Sequence, residues 1–243
     1  MIEGHTLDGA LGGAVTVMQP VAGYRFSLDA VLLARFAAET AVSTVLDLGC
    51  GCGVVGLCVL ALGGAERLDG VDIQEEMVRC ARESARRSGL GECTTFQVAD
   101  YRDGVGVIAG DGFPLVVSNP PYRPPESGRV SPRAAVAMAR HEVCGTVSDL
   151  TRTAAKALQP RGSFCVVYPA ARLPALLGAC VGSGLQPRSL RCVHPRVGQP
   201  ASLVLLRCVK GGGGGLEVRA PLALHGDGDE KYSPEAATLL GLP

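Results

Sequence analysis

Short runs of aliphatic and β-branched residues alternate along this chain with longer segments in which apolar and polar positions are mixed. The short runs have the length of buried strands, and the longer segments have the length and spacing of helices. The predicted strands are 44–48, 68–72, 94–98, 114–118 and 163–168, and the predicted helices between them are 54–62, 75–88, 148–158 and 171–183. Strands that alternate with helices form right-handed crossovers, so the pattern predicts an α/β fold with a mostly parallel sheet.

The two ends of the chain depart from this alternation. The apolar runs 185–193 and 202–209 lack a helix between them, which predicts an antiparallel finish to the sheet. Residues 27–40 predict an amphipathic helix ahead of the first strand, with Ser27 as its N-cap. Five consecutive glycines at 211–215 predict a flexible loop. We therefore divide the chain into an N-terminal segment and helix (1–43), a central α/β domain (44–210) and a C-terminal tail packed on or near that domain (211–243).

Charge is distributed unevenly, although the whole chain is neutral. The 23 basic and 23 acidic residues exclude a uniformly basic nucleic-acid binder, but they leave room for a basic patch. Residues 1–119 carry a net charge of −7, residues 120–210 a net charge of +10 and residues 211–243 a net charge of −3. This asymmetry indicates that one face of the protein meets an anionic partner.

The cysteine pattern indicates a reducing compartment. Ten cysteines are scattered without any C-x-x-C pair, and several lie in apolar runs, such as Cys165 and Cys208. They are expected to be core residues of a cytoplasmic protein and to form neither a disulfide framework nor a structural zinc site. The uncharged stretch 48–65 is too rich in glycine for a spanning helix, so no membrane segment and no secretory leader is expected.

A glycine-rich loop follows the first predicted strand. Residues 47–53 read Asp-Leu-Gly-Cys-Gly-Cys-Gly, and Asp72 ends the next strand 19 residues after Gly53. Glycines at this place allow a ligand to approach the backbone, and a carboxylate after the next strand can accept both ribose hydroxyls. No basic residue lies nearby to bind phosphate, so an adenosine ligand with a cationic group, S-adenosylmethionine, fits best. The predicted cofactor residues of this region are Asp47, Gly49, Gly51, Gly53, Asp72, Ile73 and Asp100; for Asp100, a contact with the adenine amino group and a turn-capping role stay open.

A second motif, Asn119-Pro120-Pro121-Tyr122, ends the fourth predicted strand. Two prolines take the chain out of the sheet at the carboxyl edge, where ligands of such sheets bind. The Asn119 side-chain oxygen and the Pro120 carbonyl can each accept one N–H of a planar amine and aim its lone pair at a methyl group. Tyr122 can stack on a flat target, and a base within a duplex or loop stack must first be flipped out. These four residues are the predicted catalytic set, and Asn119 is also expected to border the cofactor.

With these motifs in place, the chain resembles the class I S-adenosylmethionine-dependent methyltransferases, and most closely the bacterial tRNA1(Val) adenine-37 N6-methyltransferases. Besides the two motifs, the resemblance rests on residues 19–33, 139–142 and 232–235. It implies a Rossmann-like sheet of seven strands whose last strand is reversed, with helices on both faces. It also implies that Tyr24, Arg25 and Phe26 lie over the cofactor, and that the substrate is an adenine N6 amine in RNA, most closely position 37 of tRNA-Val.

The basic stretch gains a specific meaning from this resemblance. Cations that follow the proline motif could clamp the phosphates beside a flipped base. The predicted RNA-binding residues are Arg123, Arg129, Arg133, Arg140 and His141, and a second cluster comprises Arg188, Arg191, His194 and Arg196. A methyltransferase of protein glutamine amides in release factors, or of rRNA guanine N2, stays open as an alternative. Only 43 residues precede the first predicted strand, which argues against the long helical domain usual in the former.

Overall fold

The computed structural model describes residues 4–22, 25–103, 112–121, 145–226 and 231–242. The helices of this part are α1 (Leu28–Ala37), α2 (Val54–Ala61), α3 (Glu75–Arg87), α4 (Val147–Ala157), α5 (Leu173–Gly182) and α6 (Pro234–Leu240). The strands are β1 (His5–Ala10), β2 (Val15–Pro20), β3 (Val42–Leu48), β4 (Ala65–Asp72), β5 (Thr94–Val98), β6 (Phe113–Ser118), β7 (Leu158–Pro169), β8 (Leu185–Arg196), β9 (Leu203–Lys210), β10 (Glu217–Val218) and β11 (Leu222–His225).

Seven of these strands form the central sheet, in the order β5-β4-β3-β6-β7-β9-β8. The pairings from β5 to β7 are all parallel, whereas β9 runs antiparallel to both of its neighbours, β7 and β8. The predicted α/β class, the mostly parallel sheet and its antiparallel finish are therefore confirmed. The whole sheet has nine strands instead of the predicted seven, because β10 and β11 also pair with β8. The core lies on the two faces of this sheet, and it includes the fully buried side chains of Leu46, Leu48 and Phe164.

Helix α1 begins as predicted, but its first turn is capped differently. Ser27 occupies the N-cap position without accepting a hydrogen bond from the helix. Its hydroxyl donates to Asp29 Oδ1 at 2.5 Å, and the same carboxylate oxygen accepts the N–H of Ala30 at 2.9 Å. The prediction that Ser27 is the N-cap of this helix is therefore confirmed, and the carboxylate of Asp29 accepts the N–H of Ala30 in place of the serine hydroxyl.

The hairpin of β1 and β2 precedes α1 and packs on α3. Two serines of α3 bind its backbone: Ser84 Oγ accepts the N–H of Met18 at 2.8 Å, and Ser88 Oγ accepts the N–H of Thr16 at 3.0 Å. At the open end of the hairpin, His5 Nε2 lies 3.5 Å from Glu76 Oε1 in the first turn of α3. The open end therefore lies at the carboxyl edge of the sheet, where α3 begins.

The tail after β9 pairs with the sheet. Strands β10 and β11 both run parallel to β8 on the edge that β9 leaves open. Arginines of β8 donate to carbonyls of this tail: Arg191 to Ala220 O at 3.2 Å, Arg196 to Gly226 O at 2.9 Å, and Arg188 to Gly213 O within the run of glycines. The second basic cluster thus holds the tail against β8.

No helix in the described ranges has the length and apolar character that a membrane span requires. The nine cysteines among those ranges are all free, and seven of them are buried, including Cys165 and Cys208. The prediction that cysteines serve as small core residues is confirmed for these positions. Within the same ranges, no group of three His, Cys, Asp or Glu side chains is arranged to hold a metal ion.

Candidate active site at the carboxyl edge of the sheet

The two sequence motifs meet where the strand order reverses. Strands β3 and β6 are parallel neighbours whose ladder runs from Val45↔Leu115 to Asp47↔Val117. From β3 the chain proceeds to β4 on one side, and β6 begins the other half of the sheet. Such a reversal leaves a crevice outside the carboxyl ends of the strands. Gly49 and Asn119 each directly follow one of these two strands, so both motifs border this crevice.

The glycine loop, residues 49–53, folds back over the end of β4. The N–H groups of Gly49 and Cys50 both donate to Val71 O at 2.9 Å. Gly49, Gly51 and Gly53 have φ angles of +70°, +53° and +81°, which glycine adopts without strain. A β-carbon built on Gly49 or Gly51 meets no atom within 4 Å, whereas one on Gly53 lies 3.2 Å from Ala81 and Phe96. The first two glycines therefore leave open space beside the loop, and the third allows close packing.

Asp72 anchors the glycine loop at the end of β4. Its Oδ2 accepts the N–H of Gly51 and its Oδ1 accepts the N–H of Gln74, both at 2.9 Å. Burial raises its pKa above the ordinary value, and the hydrogen bonds from Gln74 and Gly51 oppose that rise. The side chain of Gln74 also bonds to this carboxylate. A carboxylate has about four acceptor sites, so one site remains for a hydroxyl of a ligand. Ile73, the next residue, is half-buried beside it.

Asp47 lies beneath the loop, near the end of β3. Its side chain is buried, and Oδ2 accepts the N–H of Gly56 in α2 at 3.0 Å, while Oδ1 has no hydrogen-bond partner in the described structure. Burial raises its pKa to about 7; the hydrogen bond from Gly56 opposes this, and the charge of Asp72 adds to it. A cation nearby would stabilise the ionised form of both carboxylates. The two carboxylates, Asp47 and Asp72, thus suit a ligand with an adenosyl ribose and a positive charge.

Asp100 is engaged in a local turn. Its carboxylate accepts the backbone N–H and the Nε of Arg102, each at 2.9 Å, and it precedes the 3-10 turn Tyr101–Asp103. The hydrogen bond from Arg102 lowers the pKa of Asp100. Of the two roles that the sequence left open, the structure shows the turn-capping one, and the contact with adenine stays a prediction.

The segment between β2 and α1 is held by the hairpin. Arg25 donates to Asp8 Oδ2 at 2.9 Å and to Thr6 Oγ1 at 3.0 Å, and the N–H of Phe26 donates to Gln19 Oε1 at 3.0 Å. Because the open end of the hairpin lies at the carboxyl edge, this segment lies on the same side of the sheet as the glycine loop. Cofactor contacts of Arg25 and Phe26 stay predictions, and Tyr24 lies outside the described residues.

The described part of the proline motif, residues 119–121, leaves the sheet after β6 and is called the proline turn below. Asn119 and Pro120 are half-buried and Pro121 is exposed. The residue before them was missed by the sequence prediction: Ser118 is buried, and its hydroxyl donates to Leu48 O at 2.7 Å. The only signal for it was a hydroxyl residue at the end of an otherwise apolar run. Tyr122 and the predicted RNA-binding residues Arg123, Arg129, Arg133, Arg140 and His141 lie outside the described residues.

The family described as the methyltransferase small domain matches residues 28–182, which include both motifs and most of the sheet. The chain belongs to this family. The strand order and the reversed strand are those of class I methyltransferases, which use S-adenosylmethionine. A solved structure named as a predicted O-methyltransferase, from Agrobacterium tumefaciens, matches this methyltransferase with a TM-score of 0.69 and 27% identity, over 87% of this chain and 94% of the other.

Curated relatives of this methyltransferase carry a more specific name. The tRNA1(Val) (adenine(37)-N6)-methyltransferase of Dickeya chrysanthemi is 31% identical over 210 residues, which are 84% of this chain and 81% of the relative. The enzyme of the same name from Erwinia tasmaniensis is 33% identical over 180 residues, which are 73% of this chain and 72% of the relative. The resemblance to that family, expected from the motifs, is confirmed at this level.

Proposed function

We propose that this methyltransferase transfers the methyl group of S-adenosylmethionine to the N6 amine of an adenine in tRNA, in the cytoplasm. The observation that carries the proposal is the junction of Asn119 and the glycine loop at one crevice of the sheet. The names of the curated relatives support adenine 37 of tRNA-Val as the target.

The residues around the glycine loop fit the proposed methyl donor. Open space beside Gly49 and Gly51 admits a ligand to the backbone, and Asp72 keeps one acceptor site for a ribose hydroxyl. The unpartnered oxygen of Asp47 supplies buried negative charge near a cationic ligand. When bound, the donor supplies a methyl group on a sulfonium, which is electrophilic without any metal.

Asn119 and Pro120 hold the acceptor in our proposal. The side-chain oxygen of Asn119 and the carbonyl of Pro120 each accept one N–H of the adenine amine, so the nitrogen is fixed and its lone pair faces the crevice. Positioning of this kind supplies up to about 7–11 kcal/mol of a barrier. A neutral amide suits the task because it offers a hydrogen-bond acceptor without a charge.

The basic block of residues 120–210 supports a polyanionic substrate. Its net charge of +10 contrasts with −7 for the preceding part of the chain, which carries the cofactor motif. In our proposal Arg123, Arg129, Arg133, Arg140 and His141 contact phosphates beside the target base, and Tyr122 stacks on the base for about 1–3 kcal/mol. A small-molecule acceptor would not need such a block.

The deciding experiment incubates the protein with methyl-labelled S-adenosylmethionine and total RNA from a strain that lacks this gene. The RNA is then fractionated and digested, and its nucleosides are identified by mass. We expect label in N6-methyladenosine of one tRNA, with the Asn119→Ala variant as the inactive control. Label in guanine, or in a protein glutamine when a lysate replaces RNA, would contradict the proposal and favour one of the alternatives.

A further inference from the structure

The peptide between Leu48 and Gly49 is held from two sides of the sheet. Its N–H, on Gly49, donates to Val71 O of β4 at 2.9 Å. Its carbonyl, on Leu48, accepts the hydroxyl of Ser118 at the end of β6 at 2.7 Å. The N–H and C=O of a trans peptide point in opposite directions, so one rigid plane spans from β4 to β6. This peptide leads into Gly49, the first residue of the glycine loop.

The Ser118 hydroxyl joins β6 to β3 one residue beyond the last pair of their backbone ladder. The pairing of β3 with β6 ends at Asp47↔Val117, although β6 continues for one more residue and pairs Ser118 with Val166 of β7. Beyond that point the chain of β3 turns towards β4, and a crevice opens between the two strand ends. Ser118 is buried at the floor of this crevice, directly before Asn119.

We propose that Ser118 is a positioning residue, whose hydroxyl sets the distance between the proline turn and the glycine loop. The inference rests on the proposed function, because it concerns how acceptor and methyl donor are aligned. Methyl transfer needs the reacting atoms at about 3–3.5 Å, and a displacement of about 1 Å costs about 100-fold in rate. A bond that joins the two loops through one side chain controls that displacement without touching either substrate.

Two variants with the same side-chain shape test the inference. Ser118→Thr keeps the hydroxyl and Ser118→Val replaces it with a methyl group, so any crowding at this buried position is common to both. We expect the kcat of Ser118→Val to lie roughly 10- to 100-fold below that of Ser118→Thr. The KM values for both substrates should agree within about threefold, because an alignment defect acts in the transition state.

A hydroxyl deletion elsewhere controls for reduced stability. Thr151 of α4 is buried, and its Oγ1 donates to Ala179 O of α5 at 3.1 Å, far along the chain from both motifs. Thr151→Val removes this hydroxyl, which also lies 2.9 Å from Ser183 Oγ, and therefore costs at least as many hydrogen bonds as Ser118→Val. We expect it to lower the melting temperature but to leave kcat, measured below that temperature, within about twofold of the parent. A drop of kcat in Thr151→Val equal to that in Ser118→Val would overturn the positioning role.

Hydrogen exchange separates this inference from the proposed function, because it needs no acceptor. In Ser118→Val the amides of residues 49–53 and of Asn119 should exchange faster than in Ser118→Thr, and those of α4 should not differ. Equal exchange in the two variants, or kcat values within about twofold of each other, would refute the positioning role. If the parent protein labels no RNA, the proposed function fails, and the exchange comparison still decides the role of Ser118.

Discussion

The glycine loop and the proline turn follow neighbouring parallel strands, yet they are held in place by opposite means. The loop is folded onto β4 by its own N–H groups, which bind Val71 O and the Asp72 carboxylate. In the proline turn, Pro120 and Pro121 have no N–H to donate, and the hydroxyl of Ser118 provides the link to β3. The glycine loop is thus held by backbone N–H groups that bind the next strand along the chain, and the proline turn depends on one side-chain hydroxyl that contacts a strand 70 residues earlier.

The largest effect should come from removing the acceptor group itself. Asn119→Ala deletes one of the two oxygens that hold the amine, and we expect kcat to fall by at least about 10³-fold. Affinity for S-adenosylmethionine should change by no more than a few fold, because the glycine loop is built without this residue. Calorimetry and a methylation assay measure the two quantities. Gln186→Ala, which removes a half-buried amide at the far end of β8, is the control; turnover unchanged in Asn119→Ala would discard the assigned role.

The buried carboxyl group of Asp47, beneath the glycine loop, should make the stability of the protein depend on pH. Because burial raises the pKa of Asp47 to about 7, the folded chain binds a proton there that the unfolded chain releases near pH 4. This contribution to stability is therefore complete below about pH 4 and is lost as pH rises through about 7. Between pH 5 and 8 the stability of the parent should fall relative to Asp47→Asn by a few kcal/mol. Urea unfolding without ligand measures this difference, and parallel pH curves for the two proteins would contradict it.

Replacing Asp72 tests whether this residue, which anchors the glycine loop, also binds the ligand. Asp72→Asn keeps one acceptor but removes the charge, and we expect the Kd for S-adenosylhomocysteine to rise about 10- to 100-fold. Asp69→Asn is the matched control, since Asp69 lies on the same strand, three residues before the crevice. Equal affinities of the two variants would mean that Asp72 serves the loop alone.

The smallest effect should come from reversing two charges within the basic block of residues 120–210. Arg129→Glu combined with Arg133→Glu should weaken RNA binding several-fold and lower its salt dependence, by about one in slope for each phosphate that the variant no longer neutralises. Arg67→Glu combined with Arg79→Glu changes the net charge equally at exposed positions of β4 and α3. Filter binding at several salt concentrations compares the two, and identical slopes would place the RNA elsewhere.

Much of the fold could be predicted because its strands and helices carry their signals locally. The bounds of β5, Thr94–Val98, agree with the prediction, and α3 ends one residue early, at Arg87. Strand β7 is six residues longer than predicted, because its pairing with β6 already begins at Leu158 and continues across an irregularity where Arg161 has a φ of +66°. The β1–β2 hairpin gave no prediction because its turn depends on Gly12 and Gly13 at positive φ, and its stability depends on serines some 70 residues away.

The candidate site residues could be predicted from the sequence where their signals are local, and not where they depend on distant contacts. The glycines and Asp72 act through neighbours in sequence or through the next strand, so their spacing sufficed to group them. The Ser118 contact joins residues 70 positions apart, and no local pattern distinguishes its hydroxyl from any other at a strand end. The arginines of β8 form a second basic cluster in the sequence, and no local pattern indicated that Arg191 and Arg196 donate to carbonyls of the tail.

The covering of β8 by β10 and β11 has a consequence during synthesis. A nascent chain that has emerged only as far as Lys210 already contains the seven strands from β3 to β9, but β8 is then an open edge that can pair with other chains. The next fifteen residues close that edge, through the pairings of Glu217–Val218 and Leu222–His225. Ribosome stalling or proteolytic clipping between these two points would therefore yield a protein that carries both site motifs and is prone to aggregate.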